Sequence, residues 1–277
     1  MTRTALLTLG LSLLMDIGGA QVGDLPAATD RHGGFALPDQ RGRRLIVISK
    51  LAQPERLKAA LCSGRRASVQ FERRQAAGAN SDGRQTSQRF DALPGSVFTV
   101  LENNPVEPDT PCFLSSDALV TGSEVLSIAA PEGSEACRQP GRFAKLRDRP
   151  VINCWPLARL GRAAHVALLE FERRGKDALA SVVVVDGSRT MFADVPAEFR
   201  GTGEDLWRVD DGGVLSPQDI TIVCALQRNG WFALGTAWAG AEGRLLSLWI
   251  ADGSDRFTKV INDYWYQAPL MRADGQR

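Results

Sequence analysis

Apolar and polar positions alternate along much of this chain. Val69 and Phe71 stand opposite Gln70 and Glu72, and Ala167, Leu169 and Phe171 alternate with Leu168, Glu170 and Glu172. A period of two is the mark of a half-buried strand. Four consecutive valines in Ser181–Val185 predict a strand covered on both faces. Further strands are predicted at Leu45–Ser49, Val97–Leu101, Thr190–Ala193, Ile220–Val223, Trp231–Trp238, Leu245–Ile250 and Phe257–Ile261. Asp186-Gly187 and Asp252-Gly253 read as the turns between them. One stretch has another period. Over Pro54–Cys62, residues Leu57, Leu61 and Cys62 share a helical face, Pro54 suits a first turn and Gly64 a stop, which predicts a short helix near residues 54–63. The fold class expected is therefore α+β, mostly antiparallel β, with hairpins and meanders in a sandwich or barrel.

Polar stretches divide these elements. Residues 21–44, rich in Gly, Pro, Asp and Arg, read as an extended lead-in. Gln75–Gln88 reads as a polar loop, and Asn103–Pro111, with three prolines, as a rigid connector. Gly133–Pro150 is polar, with a Pro140-Gly141 turn. A division there would separate a mixed α/β part (45–140) from a β-meander part (151–270). Ser181–Ser188 aligns with Ser247–Ser254, the trace of a unit used twice.

The first twenty residues follow a different pattern. Arg3 precedes eleven apolar residues, Ala5–Met15, and the small residues Gly18-Gly19-Ala20. That is the layout of a secretory signal peptide covering 1–20. The apolar core falls short of the about 20 residues a membrane span needs, so no span is expected in the mature chain. The expected location is periplasmic or secreted, where thiols pair.

Composition adds limits rather than function. The chain is 44% hydrophobic and 23% charged with net charge +1, an ordinary globular balance with no general attraction to nucleic acid. Arginine supplies 28 of the 33 basic residues, scattered among acids rather than gathered in one block. There are five cysteines. Short loops close at least entropic cost, which favours Cys62–Cys112 with Cys137–Cys154. Cys224, inside the apolar run Ile220–Leu226, reads as a buried thiol.

Candidate chemistry is sparse. His32 and His165 are the two histidines, with no metal-ligand spacing, and no metal or cofactor is expected. No Gly-x-Ser-x-Gly occurs. A hydrolase would have to assemble His165 with Asp205, Asp210 and Asp211 across the fold. A thiol nucleophile would have to pair Cys224 with His165. Aromatics are more suggestive, because five of six tryptophans and both tyrosines follow residue 200. Trp207, Trp238, Tyr264 and Tyr266 form the candidate ligand face, with flat apolar rings and polar edges. In a strand Tyr264 and Tyr266 share one side and Trp265 takes the other. The function expected is an exported, soluble, non-catalytic binding module for an envelope glycan or protein partner. The alternatives are the hydrolase just described and a secreted enzyme inhibitor presenting Asn103–Pro111.

Overall fold

Alternation becomes strand, and every pairing between strands is antiparallel. The computed structural model describes residues 33–268 apart from 80, 132, 134 and 200–214. The predicted signal peptide lies outside the described residues. Strands β1 (Gly33–Pro38), β2 (Arg44–Val47), β3 (Leu57–Cys62), β4 (Arg65–Gln75), β5 (Gly95–Val100) and β6 (Cys112–Ser116) close a barrel in the order β1-β2-β5-β4-β3-β6. A four-residue helix, α1 (Asp117–Val120), and two short strands, β7 (Glu124–Val125) and β8 (Ile128–Ala129), lead to helix α2 (Pro140–Arg147). Two meanders follow. The first is β9 (Val151–Leu160), β10 (Ala164–Phe171), β11 (Asp177–Asp186) and β12 (Arg189–Glu198). The second is β13 (Ile220–Arg228), β14 (Trp231–Ala239), β15 (Gly243–Asp252) and β16 (Thr258–Tyr266). The predicted class, α+β with mostly antiparallel strands in barrel and sandwich arrangements, is the one observed.

The layers explain which strands alternate. Ala36, Leu45, Val47, Ala60, Phe98, Val100 and Leu114 fill the barrel interior. Their neighbours Phe35, Leu37, Ile46, Leu61 and Phe113 point outward and pack against Val223, Leu226, Leu246, Leu248, Ile261 and Trp265 of the second meander. The opposite face of that meander, with Phe232, Leu234, Trp238 and Trp249, packs on Val166, Leu168, Val182 and Val184 of the first. The outer face of the first meander is covered by Phe143 of α2. Strand β4 lies on the barrel's solvent side and keeps the alternating burial that its sequence shows.

Two expectations change. Residues 54–62 form a three-residue 3-10 turn, Pro54–Arg56, followed by β3, not a helix. Ala59 and Leu61 are buried on one side and Ala60 and Cys62 on the other, so the strand carries no alternation for a reader to see. Pairing with β4 and β6 overrides its local helical preference. Gly33–Pro38, within the predicted lead-in, is the fully buried β1. Gly33 has φ +119°, and a Cβ there would lie 1.7 Å from the Leu114 carbonyl oxygen. Glycine therefore lets β1 meet β6 and close the barrel.

Each meander gains a fifth strand at its first edge, β8 on β9 and β7 on β13. The architecture is thus used twice. The Ser181/Ser247 alignment does not keep faces, however. Val182 and Val184 point between the meanders, whereas their aligned partners Leu248 and Ile250 point at the barrel.

Both predicted disulfides are present. Cys62–Cys112 joins directly opposed residues of β3 and β6. Cys137–Cys154 ties the 3-10 turn Glu135–Cys137 to β9. Cys224 is free and buried. Among the described residues no helix is long and apolar enough to cross a membrane.

Candidate functional site

Helix α2 lies on the outer face of the first meander, within a stretch whose polarity reads as loop. Pro140 occupies its first turn and Asp148, in the left-handed region, ends it. Phe143 is its buried apolar side chain, edge-on to Phe192 at 6.2 Å between ring centres. Arginines supply the rest of the docking. Arg142 Nη2 donates to the Ser188 carbonyl at 2.8 Å and to Thr190 Oγ1 at 2.7 Å. Arg147 pairs with the Asp194 carboxylate and lies 4.7 Å over the Phe192 ring. Arg149, just past the helix, donates to the Asp177 carboxylate at 3.1 Å and to the Glu172 carbonyl. With the Cys137–Cys154 bridge upstream, the helix is clamped at both ends.

Two concavities meet at Arg142. One, about 390 Å³, is walled by Ala136, Arg138, Gln139, Phe143, His165 and Val185. The other is an open groove of about 690 Å³ walled by Lys145, Leu146, Ser188, Arg189, Ser254 and Asp255. Arg142 lines both, and its hydrogen-bond partners Ser188 and Thr190 line the second. Arg138, Arg142, Lys145 and Arg189 line this face together with His165, and Asp255 is the one carboxylate among the described lining residues. Arg142 and Arg189 are oriented by neutral acceptors, Arg189 Nη2 donating to the Ser254 carbonyl at 3.1 Å. A guanidinium held by neutral oxygens keeps its charge and its remaining N–H groups for a carboxylate or phosphate.

The residues singled out from sequence fall in several places. Asp205, Trp207, Asp210 and Asp211 lie outside the described residues. His165 opens into the pocket with Arg138 and Arg142, on the outer face of the first meander. Cys224 lies on the barrel side of the second meander, 1% exposed, and burial pushes its thiol up to about 12. Two sheets separate it from His165, so the Cys–His pair does not form. Trp238 is 8% exposed and packs between the meanders. Trp238, Leu245 and Tyr264 stand in register across β14, β15 and β16, and Tyr264, at the edge, is 40% exposed. Tyr266 is half-buried, with the Arg84 guanidinium 6.0 Å from its ring centre. Trp265 is buried on the other side. The connector Asn103–Pro111 is mostly exposed. It is anchored by Val106 N–H to the Gly42 carbonyl at 2.9 Å and by Ser87 N–H to Asp109 Oδ1 at 2.8 Å. Among the described residues no cluster of three His, Cys, Asp or Glu could hold a metal ion.

The basic face escaped the sequence reading because Arg189 is distant in the chain and α2 reads as loop. The visible sign was Arg142 and Lys145, spaced by three residues, an interval that aligns side chains along a helix, with Arg138 just before it. The chain matches no family model, and no curated protein or solved structure matches it.

Proposed function

We propose that this protein is an exported, non-catalytic binding module that holds an anionic envelope glycan on the face around α2. The carrying observation is the set of cations Arg138, Arg142, Lys145 and Arg189, of which Arg142 and Arg189 are oriented by neutral acceptors. An array held this way suits fixing charge rather than moving protons. His165 shares its pocket with two arginines and with no carboxylate among the described residues. Gln139, Ser188 and Ser254 add neutral hydrogen-bonding groups for hydroxyls. The two disulfides and the predicted leader support export.

The test is retention on immobilised polygalacturonate compared with neutral dextran. Wild type is retained on the first alone and elutes with salt. Losing one charged hydrogen bond, about 1.5 kcal/mol, weakens binding about tenfold. The triple variant Arg142→Ala/Lys145→Ala/Arg189→Ala therefore passes through. Unchanged retention of that variant overturns the proposal.

A further inference from the structure

The basic face holds two basins that share Arg142, each with a further cation of its own. Arg138 belongs to the smaller pocket, and Lys145 and Arg189 belong to the larger groove. Arg142 borders both, and two acceptors hold it in place.

Resting on the reading of this face as a glycan site, we propose that the ligand is a linear polyanionic glycan bound in both basins at once, with successive acidic groups on either side of Arg142. Once the first acidic group is seated, the second contact is intramolecular and gains from effective concentration rather than from new chemistry. The smaller pocket adds the Phe143 and Val185 walls and the His165 ring, which suits a chain end. The larger, more open groove, lined also by Gly253, Ser254 and Asp255, suits the continuing chain.

Titration calorimetry with galacturonate and with a short oligogalacturonate tests this. Arg138→Gln alters only the pocket and Arg189→Gln only the groove, and each keeps the wild-type melting temperature. The oligomer is expected to bind about a hundredfold more tightly than the monomer. Each variant weakens the oligomer about tenfold, whereas the monomer responds to one of them only. If the oligomer binds no better than the monomer, or ignores either variant, the two-basin proposal fails while the glycan site stands. If neither sugar binds wild type, both fail. Tighter binding of poly-glutamate than of oligogalacturonate also overturns the glycan assignment.

Discussion

Arg147 and Asp194 join helix α2 to strand β12 through a charge pair that is largely buried on the arginine side. The Arg147 side chain is 7% exposed and that of Asp194 30%. The second Asp194 oxygen accepts the Ser181 hydroxyl at 2.6 Å. Burial pulls the Arg147 pKa down, with Arg256 nearby adding repulsion. Removing the arginine strands a carboxylate and loses the stacking on Phe192. Arg147→Ala is expected to cost about 2 kcal/mol, discounted for the exposure of Asp194. In a chain of this size that is roughly 4–8 °C in melting temperature. Arg147→Met restores part of it by keeping the apolar stem over the ring. Equal melting of Arg147→Ala and wild type would remove the clamp from the account.

Thiol counting checks the cysteine assignment. No thiol is expected to react with a thiol reagent in the native protein, because Cys224 is buried and its pKa raised. Denaturant alone exposes one thiol, and denaturant with reductant exposes all five cysteines. Replacing Cys62 and Cys112 by serine opens a loop of 50 residues and is expected to cost about 4 kcal/mol. Replacing Cys137 and Cys154 opens 17 residues and costs about 3 kcal/mol. A native thiol reacting before denaturation contradicts the burial of Cys224.

Asp263 gives a pH dependence. Burial raises its pKa, and the hydrogen bond from Ser49 Oγ at 2.7 Å partly offsets this. The folded state thus holds the proton more tightly than the unfolded chain. That contribution to stability is complete below the ordinary carboxylate value, about 3.9. It is lost as pH rises through the raised folded value. Asp263→Asn is therefore expected to melt higher than wild type at neutral pH and level with it near about pH 3. A melting curve in which the variant gains equally at both pH values rejects the assignment.

The two sides of β16 predict opposite outcomes for neighbouring aromatics. Trp265 is 2% exposed between barrel and sheet, and Trp265→Ala should cost about 3–5 kcal/mol. Tyr264 is 40% exposed, and Tyr264→Ala should cost clearly less, about 1 kcal/mol. Chemical denaturation measures both, and similar losses would mean that the sides are wrongly assigned.

Much of the fold was legible where one face of a strand meets water. β4 shows its period, and Tyr264 and Trp265 part as neighbours in a strand must. The cysteine pairs followed from loop length. Legibility failed where both faces are covered, as in β3, and where polar side chains do the docking, as in α2. The candidate site lies in that second class. Arg142 reaches Ser188 and Thr190, and Arg189 reaches Ser254, and no local pattern announces such distant partners.

By itself the amino-acid order determined period, turn placement and thiol pairing, since each depends on residues close in the chain or on the length between two of them. Tertiary structure alone decided that the second meander is buried on both faces, that Leu57–Cys62 extends rather than coils, and that basic residues far apart in sequence share one face. Those outcomes depend on what covers each surface, and burial by distant elements leaves no mark on local periodicity.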